Sequence, residues 1–122
     1  MNPTIGIIGL GYVGLPLALA LAEKYTVLGY DNNPQRIAAL HKGIDSTQEI
    51  TSKELQAVNI NYFDQSAALK DCSIYIITVP TPLKEDNLPD FSYLESASEV
   101  VAKMLKKGDI VVYESTVYPG ST

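Results

Sequence analysis

The feature that most narrows what this chain can become is the run Gly9-Leu10-Gly11-Tyr12-Val13-Gly14. Three glycines at that spacing are weak evidence alone, so their surroundings decide. Ahead of them, Thr4 to Ile8 is a short β-branched run that reads as a strand buried on both faces. Behind them, Tyr12 to about Glu23 is apolar all round, with Gly14, Ala18 and Ala22 forming a stripe of small residues. Such a stripe lets a helix lie close against a sheet, and Pro16 suits its first turn, where backbone N–H groups lack intrahelical partners. A strand, a glycine turn and a helix opening in that turn form an anion cradle. Gly9 permits the tight turn, Gly11 lets a diphosphate approach the backbone, and Gly14 brings helix and strand together, while the amides around Tyr12 and Val13 face the phosphates. The competing reading is a helix-packing turn with no ligand.

Asp31 weighs against that competitor. It stands at the carboxyl end of a second strand, Thr26 to Tyr30, where a carboxylate can accept the ribose hydroxyls of an adenosine and would repel a 2′-phosphate. NAD is therefore expected as cofactor in preference to NADP. Arg36 stands nearby and is expected to cover the adenine or its ribose; the plainer reading is a solvated helix residue.

The remaining chain continues the alternation. Pro34 opens a helix that Lys42-Gly43 closes, and Thr51-x-x-Glu54 reads as a capping box starting a short helix to about Val58. Ile60 to Phe63 reads as a third strand, Ser66 to Lys70 as a helical turn, and Ser73 to Val79 as a strongly β-branched fourth strand. Leu83 to Asp90, with Pro89, reads as a surface loop. Ser92-x-x-Glu95 reads as a second capping box, with Leu94, Ala97, Val101, Met104 and Leu105 at helical spacing until Lys106-Lys107-Gly108 closes the helix. Asp109 to Tyr113 is the fifth strand. This order predicts an α/β fold: a Rossmann-type doubly wound parallel sheet in a three-layer α/β/α arrangement, strand order 3-2-1-4-5, with helices on both faces.

Ligands of such sheets bind beyond the carboxyl ends of the strands where the order reverses, between the first and fourth. The fourth strand ends in Val79-Pro80-Thr81-Pro82, whose Thr81 hydroxyl could meet the nicotinamide side of a dinucleotide, or which could be simply a rigid turn. The fifth ends in Glu114-Ser115-Thr116, a polar trio at the same rim that could equally be a helix cap. Cys72 lies at the opposite, amino end of its strand and reads as a small packed thiol. His41, beside Lys42 at a helix C-terminus, reads as a cation favourable to the helix dipole.

Composition excludes other classes. Over 122 residues the net charge is −5, which argues against nucleic acid or an anionic membrane as partner. A single cysteine allows no internal disulfide and no thiolate metal cluster, no metal is expected, and the usage suits the cytoplasm. No apolar run approaches the roughly 20 residues that span a bilayer.

Four blocks together resemble, in order and spacing, the N-terminal domain of UDP-glucose/GDP-mannose-type dehydrogenases: Ile5 to Ala18; Asp31 with Pro34 and Arg36-Ile37; Thr78 to Pro82; Tyr113 to Gly120. Within that family the sequence is most similar to bacterial members that oxidise UDP-N-acetylglucosamine or UDP-N-acetylgalactosamine at C6 for surface polysaccharides. The resemblance implies that Val13, Asp31, Arg36, Thr81 and Thr116 contact NAD and that Thr116 also lies near the substrate carbon and a catalytic water. It implies oxidation of an alcohol to a carboxylate in two hydride transfers to two NAD, through a thiohemiacetal on a cysteine, with a lysine, an asparagine and an aspartate as helpers. Those residues are expected beyond Thr122, as are a long dimerisation helix and a second Rossmann-like domain for the UDP-sugar. Residues 1–122 are thus expected to be the cofactor domain of a longer homodimeric enzyme, inactive alone. A nucleotide-binding module without catalysis and another hydroxy-acid or hydroxyacyl dehydrogenase are the alternatives; Val79 to Pro82 and Glu114 to Thr116 lend no support to the last.

Overall fold

The computed structural model describes residues 3–11, 13–45, 50–79, 84–88 and 90–114. Tyr12, Pro80, Thr81, Pro82, Leu83, Pro89, Ser115, Thr116 and the chain's last six residues are among those that lie outside the described residues.

Five strands, β1 (Thr4–Ile8), β2 (Thr26–Tyr30), β3 (Ile60–Phe63), β4 (Ile74–Ile77) and β5 (Ile110–Tyr113), form one sheet in the order β3-β2-β1-β4-β5. Every neighbouring pair is parallel. The period-two alternation of the strands sorts their side chains into two cores. Ile5, Ile7, Val27 and Ile76 point into one, with Leu15 and Ala18 of α1 (Gly14–Ala22), Ile37 and Leu40 of α2 (Pro34–His41) and Leu55 of α3 (Ser52–Gln56). Ile8, Tyr75 and Ile77 point into the other, with Leu69 of a 3-10 turn (Ser66–Leu69) and Ala97 and Val101 of α4 (Ser92–Ala102). The sheet is thus covered on both faces, which is why β1 and β4 are continuously apolar rather than alternating.

Local chemistry explains the helix ends. Asn33 caps α2, its side-chain oxygen accepting from the Gln35 and Arg36 amides at 3.0 and 3.3 Å. Gly43, at φ +78°, closes it. Thr51 and Glu54 form the expected reciprocal capping box. At α4 two expectations fail. Ser92 is the first helical residue, not the cap: its amide donates to Asp90 Oδ1 at 2.9 Å, and hydrogen bonds from Ser92 hold the Asp90 carboxyl below its ordinary pKa. With Asp90 competing for that serine, no side chain caps the helix. The helix also ends earlier, at Ala102. Lys106 is drawn away by Asp109 Oδ2 (2.9 Å) and by the Lys70 and Cys72 carbonyls (2.8 and 3.0 Å), so Gly108, at φ +93°, belongs to the turn entering β5.

Cys72 is fully buried at the amino end of β4, where burial pushes its thiol from 9.0 to about 11. Gly6 makes room for it, since a Cβ there would stand 3.1 Å from the sulfur. Among the described residues no helix is long and apolar enough to cross a membrane, and no cluster of ligating side chains could hold a metal ion.

Candidate functional site

The carboxyl ends of β1, β2 and β4 meet at the glycine turn. The backbone of Gly9 continues the sheet there: its N–H donates to the Tyr30 carbonyl at 2.8 Å. At φ +99° it then adopts a conformation that side chains other than glycine's rarely tolerate, and the chain turns away from the sheet. From β4, Thr78 braces the turn. Its amide donates to the Ile8 carbonyl at 2.9 Å, and its buried hydroxyl lies 3.1 Å from the Ile8 oxygen and 2.5 Å from that of Gly9. Gly14 closes the arrangement from the helix side. A Cβ there would collide with the Gly9 carbonyl oxygen and the Thr78 hydroxyl, so only glycine lets α1 approach so near.

Gly11 differs from both. Among the described residues a Cβ on it would meet nothing within 4 Å, so they leave the space over this residue open. The first bond across the turn is donated by Leu15 to the Gly11 carbonyl at 3.2 Å, and among the described residues the amides of Gly11, Val13 and Gly14 have no acceptor. Val13, at the N-cap position, offers no side-chain oxygen, and the first turn of α1 contains no acidic residue. Where α2 and α3 satisfy their own amides, α1 leaves its N-terminal partial positive charge available to an anion.

Leu10 joins this cradle to the residues on its flank. Its side chain is completely buried and covers Gly29 of β2, where a Cβ would come within 3.0 Å of it. Its N–H donates to Asp31 Oδ2 at 3.0 Å, while the other Asp31 oxygen accepts the Asn33 amide at 3.0 Å. Its carbonyl accepts from Arg36 Nε and Nη2 at 2.8 and 2.6 Å. Arg36 is therefore not a solvated helix residue. It is 7% exposed, and Nη1 pairs with Asp45 Oδ1 at 2.7 Å. The sequence pattern placed Asp31 and Arg36 near a ligand; their shared hold on one residue of the glycine turn needs the folded chain to be seen.

Asp31 and the glycine turn are thus brought together at one rim, as are Thr78 and the end of β4. Thr81 and Thr116 lie outside the described residues, and Glu114, at the end of β5, is exposed, its amide bonded to the Ile77 carbonyl at 2.8 Å. Thr78 and Asp45 were missed as site-forming residues. Thr78 had a signal, a lone hydroxyl ending a buried apolar strand; Asp45 had none. His41 and Cys72 stand away from the rim. His41 Nε2 is 2.8 Å from the Tyr62 carbonyl, tying α2 to the edge strand. A separate cavity of about 490 Å³ lies at that edge, lined by Leu40, Gly43, Leu55 and Tyr62 among others, and no residue of the glycine turn reaches it.

The geometry is that of a dinucleotide cradle, and comparison with known proteins names it. Residues 3–122 match the UDP-glucose/GDP-mannose dehydrogenase family, NAD binding domain. The chain belongs to this family. Among its relatives, a UDP-N-acetyl-D-glucosamine 6-dehydrogenase of Pseudomonas aeruginosa is 51% identical over 97% of the chain, which covers 28% of that protein. A UDP-N-acetyl-D-mannosamine dehydrogenase of Escherichia coli strain K12 is 39% identical over 98% of the chain, which covers 29% of it. Among solved structures, a UDP-D-ManNAc dehydrogenase from Pyrococcus horikoshii superposes with a TM-score of 0.87 at 38% identity, over 98% of this chain and 30% of that one. As a UDP-glucose/GDP-mannose dehydrogenase NAD-binding domain, the chain spans less than a third of the curated relatives it matches. The family's cofactor is NAD, and the residues present fit it: an open diphosphate approach over Gly11, unpaired helix amides and a carboxylate at the end of β2.

Proposed function

We propose that this chain is the cofactor-holding part of a nucleotide-sugar 6-dehydrogenase that oxidises the C6 alcohol of a UDP-sugar, of the N-acetylhexosamine or glucose type, to the uronic acid. The observation that carries the reading is the open face over Gly11, set between the uncapped start of α1 and the Asp31 carboxylate. The amides of Gly11, Val13 and Gly14 would receive the diphosphate, and Asp31 would accept the adenosine ribose hydroxyls. Arg36, held on the Leu10 carbonyl, would border that ribose. Thr81, and Thr116 near the reacting carbon, complete the proposed site on the nicotinamide side.

NAD, when bound, supplies the hydride acceptor. The chain's own residues would bind and orient: the cradle and Asp31 would hold the adenosine diphosphate half, leaving the ends of β4 and β5 to border the remainder of the cofactor. The groups that handle the sugar are proposed to lie in further sequence, since the relatives are more than three times as long. Support for an N-acetylated UDP-sugar comes from the names of those relatives. A cytoplasmic enzyme, homodimeric when complete, making a sugar acid for a surface polysaccharide is the setting proposed. The one cysteine of this chain, Cys72, is buried at the far end of β4, which suits a reducing compartment.

Calorimetry of the 122-residue chain with NAD, NADP and ADP, beside an NADH assay with UDP-N-acetylglucosamine, tests the reading. NAD and ADP are expected to bind, NADP more weakly, and no NADH to form. Turnover by this chain alone would refute the assignment of the sugar-handling groups to further sequence; absence of dinucleotide binding would refute the cofactor role.

A further inference from the structure

Asp45 follows α2 in the chain, well outside the glycine turn in sequence, yet its carboxylate is the element on which the ribose side of the site hangs. The side chain is wholly buried, as few carboxylates are. Oδ1 pairs with Arg36 Nη1 at 2.7 Å and Oδ2 accepts the Ile50 amide at 2.8 Å, so it is fixed on both sides. The two other nitrogens of the guanidinium edge are thereby aimed at the Leu10 carbonyl. Asp31 holds the N–H of the same residue whose carbonyl the guanidinium grips. A cation thus sits one residue's backbone away from the carboxylate expected to face the ribose 2′-hydroxyl. In dinucleotide-binding folds an arginine near this position is what admits a 2′-phosphate. Here the arginine is present, but its charge is paired with Asp45.

Building on the cofactor reading above, we propose that Asp45 is a positioning residue that sets the preference for NAD over NADP. By keeping Arg36 turned onto the Leu10 carbonyl it withholds that cation from a 2′-phosphate and locks the glycine turn in its binding shape. Asp31 repels the extra phosphate; Asp45 keeps Arg36 from compensating. A buried ion pair that served only stability would affect both cofactors alike.

The test is Asp45→Asn in the chain, which keeps the shape and an acceptor for the Ile50 amide while removing the charge, with Asp45→Glu as the conservative rescue. Calorimetry with NAD, NADP, 5′-ADP and adenosine 2′,5′-bisphosphate is read beside a melting curve. Asp45→Asn is expected to weaken NAD and narrow the NAD-to-NADP affinity ratio by about tenfold or more, with the same change between the two adenosine nucleotides, and Asp45→Glu to restore most of it. A folded Asp45→Asn that keeps the wild-type ratio overturns the inference alone. A wild-type chain that binds neither dinucleotide overturns the cofactor reading and this inference with it. If Asp45→Asn melts below the assay temperature, Asp45→Ser replaces it under the same two outcomes.

Discussion

The hydroxyl of Thr78 stands 2.5 Å from the carbonyl oxygen of Gly9, fastening the end of β4 to the glycine turn across the point where strand order reverses. That contact occupies the space a side chain at position 14 would need, and it divides the glycines into two kinds: those that build the turn and the one that leaves it open.

Gly14→Ala and Gly11→Ala should therefore fail differently. In Gly14→Ala the new methyl meets the Gly9 carbonyl and the Thr78 hydroxyl, so the chain is expected to lose about 2 kcal/mol or more, lowering Tm by roughly 10 °C. In Gly11→Ala the methyl enters open space; Tm is expected to stay within about 2 °C of wild type while NAD affinity falls at least about tenfold. Thermal melts beside calorimetry decide this, and undiminished NAD binding by Gly11→Ala would remove the diphosphate from this cradle.

Asp31 has two tasks, and its removal should show both. Asp31→Ala is expected to weaken NAD binding by about 1 to 3 kcal/mol through lost charge-assisted hydrogen bonds. It should also lower the stability of the ligand-free chain by about 1 kcal/mol, because the Leu10 and Asn33 amides lose their acceptor. Binding of inorganic phosphate should change far less. Denaturant melts without ligand and NAD titrations read the two effects separately, and equal NAD affinity would take away the reason for choosing this cofactor.

Cys72 should behave as a buried thiol. Its pKa is raised by burial to about 11, so at pH 8 it is expected to resist a disulfide reagent until the chain unfolds. The sign of its effect on stability follows. The folded state retains the thiol proton more tightly than the unfolded state, so this contribution is complete below pH 9.0 and is lost as pH rises toward about 11. Cys72→Ala should remove that alkaline slope; an identical slope would assign it elsewhere.

Tyr62 carries a buried hydroxyl with no hydrogen-bond partner among the described residues, and burial raises its pKa against the lowering influence of Arg36. An unpaired buried hydroxyl is costly, so Tyr62→Phe is expected to leave the fold unchanged and raise stability by up to about 1 kcal/mol. A loss of stability in denaturant melts would mean that the hydroxyl has a partner after all.

Much of this molecule is local, and so was readable along the chain. The alternation of β-branched runs with capped apolar helices dictates a parallel sheet and its order, because each strand must bury both faces and each crossover has one favoured hand. The spacing of Gly9, Gly11 and Gly14 ahead of Asp31 marks the cradle, since the turn and the helix start are made of consecutive residues. The start of α4 departs from the capping pattern because Asp90 takes the Ser92 amide, an engagement that only the folded geometry shows. Arg36 turned inward for a reason no spacing carries. Its partners, Leu10 and Asp45, lie on separate loops that meet only when β2 is in place, and burial makes a charge seek such a partner. Short-range pattern decided the fold and the position of the site; long-range contact of charged side chains with the Leu10 backbone decided what Asp31 and Arg36 hold.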